Sequence, residues 1–373
     1  MKELHSSSYL AHISKLFLLT RAANGGNLTI AVISGVTGQD GYFLTKLLRT
    51  KTYEKVIGLC SPGNRQLALD THGGETQTFC VYEIDLADSL AIVALFRDIR
   101  ARETFDTLEI YHLAALSHVG NSYTSPEVTC DIDALGSLRI LEALRETNLV
   151  SCSKFLQAGS AEQFGKCTES PQTEQTPFNP VSPYGAAKVF AHQLVKIYRD
   201  HHRMFACNAI LYNHESERRP PSFVTRKITL HLSEVLRGER ECLELGYMDA
   251  QRDWGYAADY VRGMWLMLQQ SQPDDYILAS TVLHSVRDFV TEACRVCDLA
   301  IAWEGSGVDE VARNTSTGAV VVRINPEFYR PAEPSNLVGD ATKAKTLLGW
   351  EPQVTFLQMV ELMVKHDLGA REV

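Results

Sequence analysis

Short apolar runs alternate with longer amphipathic segments through much of this chain, and this rhythm constrains the fold most strongly. Runs with the length of strands occur at residues 28–34, 55–60, 79–84, 108–114, 154–158 and 205–211. Segments with the length of helices lie between them, among them 42–50, 89–100, 135–147 and 183–201. Such alternation is typical of a parallel sheet with helices on both faces. We therefore expect an α/β fold with a doubly wound, Rossmann-type parallel sheet.

The alternation loosens after about residue 213, where short mixed segments and several prolines follow. This change predicts a smaller mixed lobe that packs against the open edge of the sheet. We expect a flexible extension at 1–27 and a dinucleotide-binding domain with the catalytic residues at 28–213. Residues 214–373 would form mainly the substrate lobe, with some segments returning to the first domain.

A glycine triad directly follows the first predicted strand and opens the first helix. Its members are Gly35, Gly38 and Gly41. Glycines at such a turn let the backbone approach a pyrophosphate, and the start of the helix offers unpaired N–H groups. A triad alone is a weak signal, but its place between strand and helix favours a dinucleotide site over a simple tight turn. The same loop contributes the predicted cofactor contacts Thr37, Gln39 and Asp40.

The loop after the second strand bears on which dinucleotide binds. An acidic residue about 20 residues after the glycines would hold the ribose 2′-hydroxyl of NAD, but residues 60–65 read Cys-Ser-Pro-Gly-Asn-Arg. The missing carboxylate favours NADP, with NAD as the alternative. Arg65 is then a candidate partner for the 2′-phosphate, or simply a solvated cation. Asp85 and Leu86 follow the third strand and face the expected adenine side, although Asp85 could equally cap a helix.

A tyrosine and a lysine lie four residues apart in the helix predicted after the fifth strand. This spacing puts Tyr184 and Lys188 on one helical face. Ser182 and Pro183 form a favourable helix start just before them. A nearby ammonium is expected to lower the pKa of Tyr184, which would let its phenolate accept a proton from an alcohol.

Two further polar residues lie just beyond the fifth strand, at the edge where open α/β sheets bind ligands. Ser160 would donate its hydroxyl to the reacting oxygen, or else only complete a turn. Glu162 would be a second acid/base, or else a capping or solvated acid. Because simple alcohol oxidation needs no second acid/base, Glu162 indicates dehydration.

Composition excludes several other classes of function. A net charge of −9 without a basic stripe argues against a nucleic-acid partner. No run approaches the roughly 18 apolar residues of a membrane helix. Nine scattered cysteines resemble the reduced thiols of a cytosolic protein. Cys294 and Cys297 lack further ligands nearby, so we expect no metal site.

From about Thr29 to the C-terminus the chain resembles the GDP-mannose 4,6-dehydratase family of extended short-chain dehydrogenases/reductases. The blocks that carry the resemblance are Gly-Val-Thr-Gly-Gln-Asp-Gly at 35–41, Leu-Ala-Ala-Leu-Ser-His at 113–118, Ser-Pro-Tyr-Gly-Ala-Ala-Lys at 182–188, Leu-Tyr-Asn-His-Glu-Ser at 211–216, Phe-Val-Thr-Arg-Lys at 223–227, Arg-Asp-Trp at 252–254 and Arg-Pro at 330–331. The Tyr/Lys spacing marks only the superfamily. The Asn-His-Glu-Ser and Phe-Val-Thr-Arg-Lys blocks mark the dehydratase.

The resemblance implies a role for each matching residue. The catalytic set would be Ser160 (in place of a family Thr), Glu162, Tyr184 and Lys188. Further cofactor contacts would be Leu113, Ala114, Ala115, Ser117, His214 and Arg219. The GDP-sugar would be held by Ser117, Asn213, Lys227, Arg252 and Arg330. Without the resemblance, Asn213 would be interpreted as a strand-end cap and His214 as a packed ring. Surface cations would be the interpretation for Arg219, Lys227, Arg252 and Arg330. The chain departs from the family at Ser61 and Pro62, where an Arg pair is usual.

The implied reaction is redox-neutral. GDP-mannose would be oxidised at C4, lose water across C5 and C6, and regain hydride at C6 to give GDP-4-keto-6-deoxymannose. Other nucleotide-sugar 4,6-dehydratases and 4-epimerases share the fold and the Tyr/Lys pair, but an epimerase has no need of Glu162. A non-catalytic nucleotide-sugar-binding protein is the distant alternative. The resemblance also implies a homodimer or homotetramer, and we expect a cytoplasmic location.

Overall fold

The structure is a computed structural model that describes residues 27–329 and 337–369. Its main element is a seven-stranded parallel sheet in the order β10-β6-β5-β4-β1-β2-β3. The strands are β1 (Thr29–Ser34), β2 (Lys55–Cys60), β3 (Phe79–Glu83), β4 (Thr107–His112), β5 (Ser153–Ala158), β6 (Phe205–Leu211) and β10 (Tyr276–Leu278). The strand order reverses beside β1, and this switch point is where open α/β sheets bind their ligands.

Helices cover both faces of this sheet, as the sequence predicts. They are α1 (Gln39–Leu48), α2 (Arg65–His72), α3 (Ser89–Arg102), α6 (Gly136–Glu146), α7 (Pro183–His202) and α9 (Ala257–Leu268). Two short helices, α4 (Val119–Thr124) and α5 (Pro126–Cys130), pack against α7. Side chains from α3, α6 and α7 form a buried core with one face of the sheet. Side chains from α1, α2 and α9 pack on the other. The doubly wound, Rossmann-type fold is confirmed.

Two element boundaries differ from the prediction for identifiable reasons. Strand β4 ends at His112, two residues early, because the N–H groups of Leu113 and Ala114 donate to the hydroxyl of Ser34 at 3.1 and 3.2 Å. Helix α1 begins at Gln39 and not at residue 42. Its backbone hydrogen bonds start inside the glycine triad, where the N–H of Tyr42 donates to the carbonyl oxygen of Gly38. The sequence has no apolar periodicity there that would predict a helix.

The remaining chain forms the predicted smaller mixed lobe. A three-stranded sheet contains β7 (Asn213–Glu215), β9 (Gln251–Tyr256) and β11 (Leu283–Ser285). A four-stranded sheet contains β8 (Leu243–Leu245), β12 (Ile301–Glu304), β13 (Val311–Asn314) and β14 (Val320–Ile324). The helices α8 (Val224–Leu236), α10 (Val286–Val296) and α11 (Phe356–Asp367) accompany them. Both parallel and antiparallel pairs occur.

Parts of the chain beyond residue 213 join the main sheet, because β10 is its edge strand and α9 packs on its face. The division of the chain at that residue stays a prediction. The extension predicted at 1–27 lies outside the described residues, apart from Asn27. Within the described ranges, no helix is both long enough and apolar enough to cross a lipid bilayer.

Candidate active site

A cavity of about 490 Å³ opens at the carboxyl edge of the parallel sheet. Segments that follow strands β1 to β6 form its wall, so residues far apart in sequence meet there. The predicted site residues in this wall are Gly35, Thr37, Gly38, Gln39, Asp40, Gly41, Asp85, Leu86, Leu113, Ala114, Ala115, Ser117, Ser160, Glu162, Tyr184, Lys188, Asn213, His214 and Arg219. The predicted dinucleotide residues other than Arg65 therefore share one cavity with the predicted catalytic residues.

Two glycines of the triad are required by close backbone approaches. Gly35 has a φ of 76°, and a Cβ there would lie 2.8 Å from the backbone nitrogen of Ala114. A Cβ at Gly41 would lie 2.3 Å from the carbonyl oxygen of Gly35. The loop thus folds tightly between β1 and β4, and the first N–H groups of α1 are left for a ligand.

Helix α7 supplies Tyr184 and Lys188. It begins as predicted, since the hydroxyl of Ser182 accepts a hydrogen bond from the N–H of Gly185 at 3.0 Å. The Lys188 ammonium donates to the carbonyl oxygen of Ala158 at 2.9 Å. Its Nζ lies 5.7 Å from the centre of the Tyr184 ring. Both side chains are buried, so the pair is held in a fixed geometry.

The expected lowering of the Tyr184 pKa is wrong for the protein alone. Burial raises the pKa of Tyr184, and the charge of Asp133 adds to this effect, while a hydrogen bond with Ser160 opposes it. Burial also lowers the pKa of Lys188, although Asp133 partly offsets that shift. The sequence does not show that both side chains are buried. Their desolvation outweighs the stabilisation of the Tyr184 phenolate expected from the Lys188 ammonium.

The turn after β5 brings Glu162, the predicted second acid/base, into the same cavity wall as this pair. Residues Ala161–Gln163 form a 3₁₀ turn, in which the hydroxyl of Ser160 accepts from the N–H of Glu162 at 3.2 Å. Gly185 packs closely on this turn, since a Cβ there would lie 2.6 Å from the carbonyl oxygen of Glu162. Ser160 therefore completes a turn, and its side chain also hydrogen-bonds Tyr184. Donation of its hydroxyl to the reacting oxygen stays a prediction.

Asp133 is a site residue that the sequence reasoning missed. It lies in a π-helical turn, Asp131–Leu135, just before α6, and its side chain is buried. One carboxylate oxygen accepts from the N–H of Leu116 at 2.7 Å, while the other, Oδ2, is buried without a hydrogen-bond partner among the described residues. The sequence signal was weak: an acid between the apolar residues Ile132 and Ala134, just before the predicted helix at 135–147.

A buried histidine also lies close to Lys188. The Nδ1 atom of His112 is 2.7 Å from the hydroxyl of Ser34. Because that hydroxyl already accepts two backbone N–H groups, it donates its proton to Nδ1, and the ring proton lies on Nε2. Burial and the Lys188 charge lower the pKa of His112 to about 3. We expect a neutral ring at this position.

The adenine side of the cavity matches the prediction only in part. Asp85 and Leu86 line the wall, and Asp85 also accepts from the N–H of Ala87 at 2.9 Å, so it both faces the cavity and stabilises a turn. Arg65, although described, is absent from the wall. Its guanidinium pairs with Glu75 at 2.9 Å on the protein surface.

The substrate candidates are distributed over two regions. Ser117 and Asn213 line the cavity, whereas the described residues Lys227 and Arg252 lie outside its wall. Lys227 lies on α8 with its ammonium 4.0 Å from the centre of the Phe328 ring. Arg252 lies on β9 and donates to the carbonyl oxygen of Gln251 at 2.8 Å. Arg330, the last candidate, falls outside the described residues.

The two remaining cofactor candidates come from the segment at β7. His214 is 2.9 Å from Asp40 of the glycine loop. Arg219 lies with its guanidinium 3.8 Å from the centre of the Phe223 ring and pairs with Glu215 at 3.2 Å. Across the described ranges, no group of three or more His, Cys, Asp or Glu side chains is arranged to hold a metal ion.

A glycine-rich dinucleotide loop and a Tyr/Lys pair at the carboxyl edge of a Rossmann-type sheet define the class of short-chain dehydrogenases/reductases. Solved structures share this fold. An RMD from Pseudomonas aeruginosa complexed with NADPH matches with a TM-score of 0.70 and 18% identity, covering 91% of this chain and 99% of its own. A dTDP-glucose 4,6-dehydratase from Bacillus anthracis in complex with NAD matches with a TM-score of 0.71 and 18% identity, covering 91% and 96%.

Sequence comparison identifies the family within this class. Residues 32–363 match the family model described as GDP-mannose 4,6 dehydratase. The GDP-mannose 4,6 dehydratase of Drosophila melanogaster is 44% identical over 91% of this chain and 86% of its own length. That of Vibrio cholerae is 44% identical over 91% of this chain and 93% of its own. The chain belongs to the GDP-mannose 4,6-dehydratase family.

Proposed function

We propose that this chain is a carbon–oxygen lyase that converts GDP-mannose to GDP-4-keto-6-deoxymannose. One observation carries the proposal: a single cavity joins the dinucleotide loop to Tyr184, Ser160 and Glu162. Tyr184 and Ser160 suit oxidation of an alcohol, while Glu162 provides the additional acid/base that elimination of water requires. Neither epimerisation nor simple binding of a nucleotide sugar requires an acid/base at Glu162. The observed cavity therefore supports these two alternatives less well than it supports dehydration.

The glycine loop fits the pyrophosphate of a nicotinamide dinucleotide. Gly35 and Gly41 leave no room for side chains, and α1 begins where the phosphates would lie. When bound, an oxidised nicotinamide would supply a hydride acceptor and a positive charge to the cavity that Tyr184 lines. This charge is needed because burial alone raises the pKa of Tyr184.

Tyr184 would act first. Its phenolate takes the proton of the sugar O4 as hydride leaves C4, and the hydroxyl of Ser160 hydrogen-bonds the same reacting oxygen. Lys188 holds its ammonium beside the phenol ring, where it favours the ionised base. The C4 alcohol becomes a ketone, and the proton remains on Tyr184 until the hydride returns.

Glu162 would act second. The C4 ketone acidifies the C5 proton, which Glu162 removes and then delivers to the departing C6 hydroxyl, so that water leaves. Hydride then returns to C6, C5 takes a proton from solvent, and Tyr184 releases the O4 proton to solvent. The reaction thus balances as the loss of one water, and the phenolate is regenerated. Both carboxylate tasks require Glu162 beside the sugar ring, on the same wall as Tyr184.

The nucleotide sugar would extend from the cavity into the mixed lobe. Ser117 and Asn213 would contact the sugar end, since both line the cavity. Lys227 on α8 and Arg252 on β9 would neutralise the diphosphate, together with Arg330. Burial lowers the pKa of Lys227, which is consistent with an ammonium partly withdrawn from water.

NADP is the proposed cofactor form, with NAD as the alternative. Residues 61–65, directly after β2, contain no carboxylate, and Ser61 forms the cavity wall there. Arg65 would leave Glu75 to reach a 2′-phosphate. We expect Arg65→Ala to weaken NADP binding selectively, and Glu75→Gln, which releases Arg65, to strengthen it. Calorimetric titration of both dinucleotides checks this, and a clear wild-type preference for NAD would contradict it.

We further propose a cytoplasmic homodimer or homotetramer. The cysteine content is typical of a reducing compartment. Helices α4, α5 and α7 expose several apolar side chains that a second copy would cover, namely Tyr123, Val128, Phe190 and Ile197.

An isotope experiment tests the proposed reaction. GDP-mannose with deuterium at C4 should give a product that has lost one water and carries the deuterium at C6, with solvent hydrogen at C5. Glu162→Gln should make little deoxy product yet still reduce bound cofactor, whereas the surface control Glu127→Gln should behave as wild type. Full dehydratase activity of Glu162→Gln, or absence of deuterium at C6, would overturn the mechanism and favour epimerisation.

A further inference from the structure

Both ring nitrogens of His214 face an acceptor. Nδ1 lies 2.8 Å from the carbonyl oxygen of Tyr212, and Nε2 lies 2.9 Å from Oδ2 of Asp40. A carbonyl oxygen only accepts, and an ionised carboxylate only accepts, so each contact requires a proton on the nitrogen. A neutral ring carries one such proton and an imidazolium carries two. His214 is therefore an imidazolium paired with the Asp40 carboxylate.

The pair is shielded from water. The exposed fractions of the two side chains are 10% for His214 and 21% for Asp40. The imidazole ring stacks on Tyr260, with the ring centres 4.7 Å apart and the planes at 19°. Burial opposes both charges, but the pair outweighs it: the pKa of His214 is raised and that of Asp40 is lowered. Each charge is thus maintained by the other.

Asp40 lies where its charge would affect the binding of the proposed dinucleotide. It is the second residue of α1 and lines the cavity where the proposed dinucleotide would place its pyrophosphate. An uncompensated carboxylate there would repel the two phosphates and would offset the attraction of the helix N-terminus. Arg219 compensates only in part, because its guanidinium also pairs with Glu215 at 3.2 Å.

We infer that His214 is the countercharge of Asp40 in the cofactor site, and that its protonation determines how strongly the dinucleotide binds. The inference rests on the proposed nicotinamide cofactor. With a neutral ring at position 214, the carboxylate faces the pyrophosphate with only Arg219 nearby. Affinity therefore falls as pH rises through the pKa of His214. Asp40 from α1, Arg219 after β7 and Tyr260 from α9 are the titratable groups around the ring.

Residues at β7 also hydrogen-bond Gln39, which precedes Asp40 in α1. The Gln39 side-chain nitrogen donates to the carbonyl oxygen of His214 at 3.0 Å, and its oxygen accepts from the hydroxyl of Ser216 at 2.7 Å. The first turn of α1 is thus attached to β7 by neutral bonds as well as by the ion pair. A change of charge at 214 can therefore be tested while these bonds keep the loop in place.

Calorimetric titration with NADP and NAD between pH 7 and 9 tests the inference without an activity assay. NAD is included because it lacks the 2′-phosphate, whose own ionisation near pH 6 would add a pH dependence. The variants are His214→Gln, Asp40→Asn and the double variant, each checked for cooperative thermal unfolding. Wild-type affinity should fall with rising pH, and His214→Gln should bind about tenfold more weakly at pH 7 with little pH dependence.

The double variant separates charge from structure. Removing the carboxylate as well should restore most of the affinity lost in His214→Gln, and Asp40→Asn alone should remove the pH dependence. Wild-type affinity that is constant with pH, or a double variant that binds no better than His214→Gln, would overturn the role of His214. Should His214→Gln fail to fold, Asp40→Asn against wild type decides the question. A wild-type protein that binds neither dinucleotide would instead overturn the proposed cofactor.

Discussion

Tyr184, the proposed base, would act only after losing its hydroxyl proton, and its surroundings in the protein alone oppose that loss. Burial, Asp133 and Glu162 all raise its pKa, while Ser160 and Arg219 lower it. Because the ionised form is needed, turnover should rise with pH over the range below this pKa. The balance of charges around the phenol therefore controls the pH profile.

Tyr184→Phe removes the base and leaves the rest of α7 in place. We expect turnover to fall by about 10²–10⁴-fold, with cofactor affinity and thermal stability close to wild type. Tyr198→Phe is a matched control on the same helix, since that hydroxyl bonds Glu142 away from the cavity. Steady-state assays of both variants decide the point, and near-normal turnover of Tyr184→Phe would show that another group takes the O4 proton.

Asp133→Asn should shift the pH profile in a defined direction. The amide oxygen can still accept from the N–H of Leu116, but the negative charge that raises the Tyr184 pKa is gone. The rising limb of activity should therefore move to lower pH. Asp131→Asn, in the same turn but paired with Arg139 at 2.6 Å, should leave the limb unchanged. Identical profiles for the wild type and Asp133→Asn would contradict this account.

At the scale of elements, the apolar runs predicted six strands of the main sheet, and Ser182 with Pro183 predicted the start of α7. Strands β2 and β6 match the predicted bounds because buried parallel strands are continuous apolar runs. What escaped prediction depends on contacts between distant segments. The end of β4 is set by the Ser34 hydroxyl, and the raised pKa of Tyr184 depends on burial and on Asp133. Such contacts cannot be predicted from a local pattern in the sequence.

The glycine loop gives an element-scale prediction. Alanine in place of a helical glycine ordinarily stabilises by about 1 kcal/mol, yet a Cβ at Gly41 would lie 2.3 Å from the backbone oxygen of Gly35. Overpacking against backbone costs about 1–3 kcal/mol or more, so Gly41→Ala should be destabilising. Gly38→Ala, whose nearest contact would be 3.3 Å, should cost less. Thermal unfolding of the two variants checks the order, and equal melting temperatures would contradict it.

At the scale of the whole molecule, one flank of the main sheet differs from the rest of the surface. Helix α7 carries Phe190 and Ile197, seven residues apart and hence on one face, with exposed fractions of 44% and 54%. Tyr123 of α4 and Val128 of α5 are exposed at 58% and 55%, and both helices pack against α7. A group of exposed apolar side chains on neighbouring helices is typical of a subunit interface.

Self-association through this flank is the last prediction. Phe190→Glu and Ile197→Glu place charges where a second copy would bury apolar surface, so the double variant should be monomeric while wild type is a dimer or tetramer. Leu357→Glu is the matched control, because Leu357 is equally exposed, at 54%, but lies on α11. Light scattering coupled to size-exclusion chromatography measures the mass of each. Since α7 also carries Tyr184 and Lys188, the monomer should lose part of its activity as well. A monomeric wild type, or an oligomer unaffected by both charges, would rule out this interface.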